Sequence, residues 1–323
     1  MKVVVIGNFT QRAKENIASA FPASWEICPV APGEAAAGLL DADAVIPEHT
    51  RVNAELLDRA PGLRLVQTGA GFDNVEIEEC TKRGIWVCNA AGVNAAAVAE
   101  HVMAFLLCWY KNIPALDRFL KERRPEEELD YAGSELAGKT VGIVGLGAVG
   151  RTVAGYCGAF GMQVLGYSYR PVDVPGVRCL ELEQLYAQSD VITLHVPLRD
   201  ATWHMLDREA FAKMKRDALI INTARGAVVD ETELIEALRT HRIGGACLDV
   251  FETEPLADDS PLRRLPNVIL TPHTAGLPDG VKFHRKRYEF FAENIARVMS
   301  GQRPEHALNE IPGWVSGGLP AGR

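Results

Sequence analysis

The sequence has 323 residues, a length that predicts two domains with room for sizeable hydrophobic cores. Its formal net charge is −8 and no basic stripe offsets it, which argues against a nucleic-acid partner. No apolar run is long enough to span a membrane. The seven cysteines are odd in number and form no C-x-x-C pair, which indicates free thiols in a reducing cytoplasm rather than disulfides or a zinc site.

The first hundred residues alternate short apolar runs, typical of buried strands, with segments of helical length, a pattern that predicts a parallel α/β fold. Strands are predicted at 3–6, 25–28, 42–46, 63–68 and 85–89, and helices at 11–20 and 53–59. A long apolar helix is predicted at 93–110, with Glu100 and His101 as its only ionisable groups before its end, and we expect it to be buried. The polar stretch 111–134 is interpreted as a surface loop or connection.

The segment from Thr68 to Asn74, T-G-A-G-F-D-N, follows one of these strands. Glycines at the carboxyl end of a strand can expose backbone N–H groups that form a nest for a carboxylate. Alternatively, the segment is an ordinary strand-to-helix turn in which Asp73 caps the helix. The sequence leaves both interpretations open.

Residues 140–150, T-V-G-I-V-G-L-G-A-V-G, form the most informative segment. An apolar run of strand length leads into Gly145, Gly147 and Gly150, spaced G-x-G-x-x-G, and a helix is predicted to follow. The first glycine permits a tight turn, the second lets a pyrophosphate approach the backbone, and the third lets helix and strand pack closely. In this context the motif predicts a dinucleotide site at the helix N-terminus.

The end of the next predicted strand, 162–167, bears on the choice of dinucleotide. An acidic residue there would hold the ribose 2′-hydroxyl of NAD, but Ser168 takes that place and Arg170 follows it. Since no carboxylate repels a 2′-phosphate and a guanidinium can bind one, the sequence favours NADP(H) over NAD(H). The alternative is that Arg170 points to solvent.

The second half continues the alternation, with strands predicted at 190–197, 218–226, 245–251 and 267–271 and a helix at 230–239 that Asp230 caps. A last helix is predicted from Asp279 to Met299 and ends at Gly301, and the tail from Gly313 to Arg323 is predicted to be disordered. The basic run at 282–287 is interpreted as a solvated helix face or a subunit contact.

Arg225, Glu254 and His273 each lie just after a predicted strand, at the sheet edge where open α/β proteins bind ligands. An arginine can hold a carboxylate and polarise the adjacent carbonyl, a histidine can exchange a proton with a hydroxyl, and a glutamate can fix the histidine ring. Together the three predict hydride-transfer chemistry with a nicotinamide cofactor. Singly, each could also be structural, as a turn, a loop or a core histidine.

Four segments resemble the signature segments of the D-isomer-specific 2-hydroxyacid dehydrogenases, including glyoxylate/hydroxypyruvate reductases; these are 141–150, 222–226, 249–256 and 271–276. The resemblance extends to 69–73 and 92–94. It implies two doubly wound, parallel-sheet α/β domains, Rossmann-like and flavodoxin-like, with a cleft between them. An NAD(P)-binding Rossmann domain at 99–289 would be inserted into a discontinuous substrate-binding domain, 1–98 and 290–323. A homodimer joined through the nucleotide-binding domain is also implied.

The resemblance further implies residue roles. Arg225 and His273 would bind the substrate, His273 would exchange its proton, and Glu254 would support His273. The backbone of Ala70 and Gly71 would bind substrate as well, and Asp249 would face the nicotinamide amide. The residues expected to line the cofactor are Gly145, Gly147, Ala148, Val149, Gly150, Ser168, Tyr169, Arg170, His195, Val196, Pro197, Thr202, Thr223, Ala224, Asp249, His273 and Ala275. No metal is expected.

The loop Pro47-Glu48-His49 departs from the family, many of whose members carry a substrate-contacting arginine there. Glu48 and His49 either tune specificity or face water. The resulting prediction is an NADP-preferring 2-oxoacid reductase whose partner is a small 2-oxo or 2-hydroxy acid. Two alternatives stay open, a phosphite-type dehydrogenase on the same fold and a nucleotide-sensing, corepressor-like binding protein.

Overall fold

The computed structural model describes residues 1–48, 50–128, 133–279 and 284–314 and divides the chain into two compact units. Unit 1 comprises residues 1–94 and 277–323, and unit 2 comprises residues 95–276. Each unit contains one parallel β-sheet. The chain passes into unit 2 after Asn94 and leaves it after Gly276, whereas the resemblance implied boundaries at 98 and 290.

Unit 1 is built on a five-stranded parallel sheet. Its order is β2-β1-β3-β4-β5, and the direction of winding reverses between β1 and β3, which makes it doubly wound. Continuous apolar runs predicted these strands because a parallel sheet is covered on both faces. The strands are β1 (Lys2–Ile6), β2 (Glu26–Val30), β3 (Ala44–Ile46), β4 (Leu65–Gln67) and β5 (Trp86–Cys88).

The first helices of unit 1 are α1 (Gln11–Ser19), α2 (Ala35–Gly38), α3 (Ala54–Asp58) and α4 (Ile77–Lys82). Thr10 and Asn53 begin α1 and α3, where each side chain accepts a hydrogen bond from a backbone amide of the first turn. Glu76, not Asp73, precedes α4, so the interpretation of Asp73 as a helix cap is wrong.

Unit 2 contains a seven-stranded parallel sheet of order β12-β11-β10-β9-β6-β7-β8. The reversal lies between β6 and β9, where Val144 pairs with Leu194 at the carboxyl ends of both strands. Open α/β sheets bind ligands at such a point. The strands are β6 (Thr140–Val144), β7 (Gln163–Tyr167), β8 (Arg178–Cys179), β9 (Val191–Leu194), β10 (Leu219–Asn222), β11 (Gly245–Leu248) and β12 (Val268–Leu270).

The helices of unit 2 are α5 (Ala95–Tyr110), α6 (Ile113–Lys121), α7 (Ala148–Ala159), α8 (Leu182–Gln188), α9 (Arg208–Lys213) and α10 (Glu231–Arg239). α6 corrects the prediction that 111–134 is a loop. Pro114 lies in its first turn, a position that tolerates proline, and Asn112 precedes it in a left-handed conformation. The polar composition concealed the helix because its charged side chains face solvent while Phe119 is buried.

The last helix, α11 (Arg285–Met299), belongs to unit 1, where Tyr288, Phe291 and Ile295 pack in the core beside β1 and β3–β5. It begins later than predicted because Asp279 lies in a turn, where its side chain accepts a hydrogen bond of 2.8 Å from the Arg285 amide. Gly301, with φ of 74°, follows the helix as predicted.

The predicted disordered tail is wrong at its start, because Trp314 packs edge-on against Trp86 with ring centroids 5.4 Å apart. Residues 315–323 lie outside the described part of the chain. Among the described residues, no helix combines the length and apolar character needed to cross a bilayer.

Candidate active site

The glycine-rich turn joins β6 to α7. A Cβ atom on Gly145, whose φ is 102°, would lie 2.5 Å from the His195 carbonyl oxygen, and a Cβ on Gly150 would lie 2.0 Å from the Gly145 oxygen. These two glycines are required for packing within the protein. A Cβ on Gly147 would meet no atom within 4 Å, and no side chain caps the N-terminus of α7. The open space in front of an uncapped helix is the arrangement that a pyrophosphate needs.

The predicted cofactor residues after β9 and β10 lie beside this turn in the sheet order. Burial lowers the pKa of His195 from 6.5 to about 3, so its ring is neutral, and its Nε2 lies 2.9 Å from Thr193 Oγ1. Thr202 Oγ1 donates a hydrogen bond of 2.7 Å to the Pro197 carbonyl and so closes the loop after β9. Val196, which follows His195, is partly buried.

Thr223 is the strongest sign in the structure that a polar group binds here. Its hydroxyl is buried and has no hydrogen-bond partner within the ranges that the structure describes. A buried hydroxyl without a partner is costly, so a bound molecule that supplies the partner fits this position. Together with the space in front of Gly147, the donor set fits a dinucleotide.

Ser168, Tyr169 and Arg170 follow β7 at the same sheet edge, since the Gly145 amide donates a hydrogen bond of 2.9 Å to the Tyr167 carbonyl. Ser168 is partly buried, whereas Tyr169 and Arg170 are exposed. The segment therefore presents a hydroxyl and a guanidinium, and no carboxylate, beyond the glycine-rich turn.

His273 and Glu254 form an ion-pair contact in which His273 Nδ1 lies 2.7 Å from Glu254 Oε2. The other carboxylate oxygen, Oε1, accepts a hydrogen bond of 3.1 Å from the Phe251 amide. The backbone of His273 is left-handed, with φ of 54°, and its amide donates to the Asp249 carbonyl over 2.8 Å. The carboxylate thus orients the imidazole, with Nε2 directed away from Glu254, and the amide hydrogen bond fixes the backbone that carries the ring.

Asp249 holds the loop that carries His273. It is 1% exposed, and its Oδ1 accepts hydrogen bonds from Thr271 Oγ1 (2.6 Å) and the Thr274 amide (2.8 Å). Its Oδ2 accepts from the amide of the buried Ala275 over 2.9 Å. Both carboxylate oxygens are therefore engaged within the protein, a positioning function that sequence reasoning did not foresee.

His101 on α5 extends this network. Its Nε2 lies 3.0 Å from Thr271 Oγ1 and 3.9 Å from Asp249 Oδ1. Burial lowers the pKa of His101, and the neighbouring Asp249 opposes that shift. The available sequence signal was an ionisable residue on an otherwise apolar helix, because such a group requires a polar partner when buried.

Arg225 follows β10 in a turn that the Asn222 side chain brackets. Asn222 Nδ2 donates to the Arg225 carbonyl over 2.9 Å, and Asn222 Oδ1 accepts from the Ala224 amide over 3.0 Å. A Cβ on Gly226 would lie 1.9 Å from the Phe251 carbonyl, so this turn packs directly against the segment leading to Glu254. The strands that precede Arg225, Glu254 and His273 are the neighbours β10, β11 and β12, so the sheet brings the three together at one edge.

His204, Asp230 and Glu252 place possible ligand atoms within 4.8 Å of one another. His204 Nδ1 lies 3.4 Å from Asp230, and His204 Nε2 lies 2.8 Å from Glu252. Each ring nitrogen of His204 faces a different carboxylate, whereas a metal ion would bind only one ring nitrogen. We therefore interpret this cluster as a set of contacts that connects loops of unit 2.

In unit 1, the turn at 69–71 follows β4. The Gly69 carbonyl accepts a hydrogen bond from the Ala90 amide (2.9 Å), and the Ala70 carbonyl accepts one from Asn89 Nδ2 (3.1 Å). Within the described sequence, the amides of Gly69, Ala70 and Gly71 donate no hydrogen bond. The carbonyls of Gly69 and Ala70 are therefore engaged within unit 1, while the N–H groups of the turn remain for the carboxylate that the sequence predicts there.

Glu48 is not a water-facing residue. Only 14% of its side chain is exposed, and Oε1 accepts hydrogen bonds from Arg287 Nη2 (2.8 Å) and Tyr288 Oη (2.7 Å). The interpretation of residues 282–287 as a solvated face is therefore wrong at Arg287, whose side chain is 13% exposed. His49 and residues 282–283 lie outside the described residues.

Residues 103–275 match the family model of the D-isomer specific 2-hydroxyacid dehydrogenase, NAD binding domain. The chain is a D-isomer-specific 2-hydroxyacid dehydrogenase. It is 38% identical to a glyoxylate reductase of Korarchaeum cryptofilum over 84% of this chain and 83% of that protein. It is 41% identical to a D-3-phosphoglycerate dehydrogenase of Mycobacterium tuberculosis over 87% of this chain, but it spans only about half of that protein, 53%.

An NADPH-dependent glyoxylate/hydroxypyruvate reductase of Sinorhizobium meliloti, solved with citrate, has the same fold, with a TM-score of 0.84 and 26% identity over 96% of this chain and 98% of that chain. The dehydrogenase is thus an NAD(P)-dependent oxidoreductase that interconverts 2-hydroxy and 2-oxo acids. These matches favour neither the phosphite-type nor the corepressor-like alternative.

Proposed function

We propose that the dehydrogenase works as an NADPH-dependent reductase of small 2-oxo acids, with His273 as the proton donor. The observation that carries the proposal is the His273–Glu254 contact of 2.7 Å, between segments that follow β12 and β11, with Arg225 following the next strand of the sheet, β10. When bound, the nicotinamide supplies the hydride that adds to the carbonyl carbon.

The cofactor would be held by the backbone around Gly147 and the N-terminus of α7, with Thr223 Oγ1 bonded to one of its polar groups. Ser168 and Arg170 would receive the 2′-phosphate, because a hydroxyl and a guanidinium accommodate an anion that a carboxylate would repel. The NADPH dependence of the Sinorhizobium meliloti reductase supports this preference.

Arg225 would hold the substrate's carboxylate and polarise its carbonyl. The carbonyl carbon gains a hydride and the carbonyl oxygen gains a proton from His273 Nε2, so that a 2-oxo acid becomes a 2-hydroxy acid. Glu254 stabilises the imidazolium before the proton leaves. The amides of Ala70 and Gly71 are further proposed ligands of a substrate carboxylate, and Asp249 would position the His273 loop.

The remaining proposals concern substrate, assembly and compartment. The similarity to glyoxylate reductases supports glyoxylate or hydroxypyruvate as substrate. We further propose a homodimer joined through unit 2, as the family resemblance implies, and a cytoplasmic location, which the seven free cysteines support.

The deciding experiment measures initial rates of NADPH and NADH oxidation with glyoxylate, hydroxypyruvate, pyruvate, phenylpyruvate and oxaloacetate. Fast oxidation of NADPH with one acid and slow oxidation of NADH support the proposal. Faster reaction with NADH refutes the interpretation of Ser168 and Arg170 but leaves the catalytic assignment. No consumption of either cofactor with any acid refutes the proposed reductase function.

A further inference from the structure

Arg287 is a buried cation of unit 1, and it has no role in the function proposed so far. It lies in the first turn of α11, and its guanidinium lies over the rings of Tyr288 and Phe291, with centroid distances of 5.1 and 5.6 Å. Only 13% of the side chain is exposed. The nearby Glu48 raises the pKa of Arg287 against the opposing effect of burial, so the group is charged.

Glu48 fixes the orientation of the Arg287 guanidinium. Its Nη2 donates to Glu48 Oε1 over 2.8 Å, and Tyr288 Oη donates to the same oxygen over 2.7 Å. The loop that carries Glu48 is itself fixed, because Asn74 Nδ2 donates to the carbonyls of Glu48 (3.1 Å) and Thr50 (2.7 Å). A buried charge is stabilised by such a partner only when the geometry is well fixed.

One donor of the guanidinium remains, since Nη1 donates no hydrogen bond to any residue of the described ranges. Nε–H lies on the same edge as Nη2, the edge that faces Glu48, and it has no hydrogen-bond partner among the described residues. Nη1 adjoins the turn at 69–71, since a Cβ built on Gly69 would lie 3.5 Å from it. The absence of a side chain at Gly69 leaves this donor next to the nest of backbone N–H groups. A planar cation beside a nest of N–H groups matches a carboxylate.

We propose that Arg287 is a substrate-binding residue, whose Nη1 binds the carboxylate of the 2-oxo acid at the Gly69–Gly71 turn, and that Glu48 holds it in place. This inference rests on the proposed function, because it names a further ligand of the same acid. Since Glu48 occupies the other side of the cation, Arg287 offers its remaining donor to one carboxylate at this turn. The site is thereby specific for monocarboxylic 2-oxo acids.

The test must separate substrate binding from structural support, since removal of Arg287 alone leaves Glu48 buried and unpaired. The double variant Glu48→Gln/Arg287→Met removes both charges of the pair. Arg297→Met is the matched control, because Arg297 lies on the same helix and makes an exposed contact of 3.7 Å with Glu305. The measurements are the melting temperature and the KM and kcat for glyoxylate and NADPH.

We expect the double variant to melt within a few degrees of the wild type, to show a KM for glyoxylate raised about tenfold or more, and to keep its kcat and its KM for NADPH. Arg297→Met should change none of these. A folded double variant with the wild-type KM for glyoxylate overturns the inference and makes the pair a structural tie.

If the double variant does not fold, Arg287→Lys tests the inference. An ammonium paired with Glu48 keeps the charge but lacks the second donor group that would bind the carboxylate. A folded Arg287→Lys enzyme with an unchanged KM for glyoxylate refutes the inference, and a raised KM supports it. Failure of the proposed function looks different, since the wild type itself would then reduce no 2-oxo acid.

Discussion

Glu254 contacts His273 with one carboxylate oxygen and the Phe251 amide with the other, so a single side chain fixes both the imidazole and the loop on which it depends. The first contact is 2.7 Å long and joins residues on segments that follow β11 and β12. A carboxylate in this place does two things, since it orients the ring and stabilises its protonated form.

Glu254→Gln should separate these two effects. Glutamine is of the same size and keeps an acceptor for the Phe251 amide, but it cannot stabilise an imidazolium. We expect kcat for 2-oxoacid reduction to fall about 10²-fold or more, with the affinity for NADPH unchanged. His273→Ala should lose at least as much turnover, and the double variant should lose little more than His273→Ala alone. Fully additive losses, measured by steady-state kinetics, would show that the two residues act independently.

Gly147→Ala and Gly150→Ala form a matched pair in one turn. Since a Cβ on Gly147 meets open space, this variant should fold with a near-native melting temperature and lose dinucleotide affinity about tenfold or more. A Cβ on Gly150 lies 2.0 Å from the Gly145 carbonyl oxygen, so that variant should be destabilised. Calorimetry and cofactor titration measure both effects. Unchanged NADPH binding by folded Gly147→Ala would contradict the placement of the pyrophosphate.

Ser168→Asp should reverse the cofactor preference. The new carboxylate at the end of β7 can accept hydrogen bonds from a ribose 2′-hydroxyl and repels a 2′-phosphate. We expect the ratio of kcat/KM for NADPH to that for NADH to fall at least tenfold, while the KM for the 2-oxo acid stays the same. Ser24→Asp, the same change at an exposed serine of unit 1, serves as the control. An unaltered ratio would show that the 2′-position of the ribose lies elsewhere.

His195 should make the stability of unit 2 dependent on pH. Its pKa is lowered from 6.5 to about 3 by burial, so below pH 6.5 the unfolded chain binds a proton that the folded chain does not. This contribution to stability is therefore complete above about pH 6.5 and is lost as the pH falls towards 3, with a slope of at most about 1.4 kcal/mol per pH unit.

His195→Gln lacks this contribution. Urea unfolding of wild type and variant at pH 7.5 and 5 should show a smaller loss of unfolding free energy for the variant at the lower pH. Equal losses in both proteins would mean that His195 is not held neutral in the folded state.

Local pattern predicted the strands well because a strand buried on both faces must be apolar along its whole length, as in β9 and β10. The same argument cannot predict β8, because its two residues are both exposed and form no apolar run. The start of α11 was misplaced because a run of polar residues does not show where a helix begins, whereas a side-chain contact from Asp279 to the Arg285 amide does.

The composition of the candidate site was predicted, but its internal contacts were not. The glycine spacing and the residues after β10, β11 and β12 could be identified from the sequence because each depends on a short segment. The pairing of Glu48 with Arg287 could not be predicted, since these residues are 239 positions apart and neither segment alone indicates a partner. The same holds for His101 and Thr271, which meet across 170 positions.

The core of unit 1 combines β1 and β3–β5 with Tyr288, Phe291 and Ile295 of α11. On a ribosome, a chain emerges from its N-terminus, so all five strands of unit 1 are made before any residue of unit 2. One face of this sheet then lacks the side chains of α11 until unit 2 and residues 285–299 have been translated. Because unit 2 is continuous in sequence, it can fold before α11 is synthesised, whereas the core of unit 1 is completed only after α11 has been made.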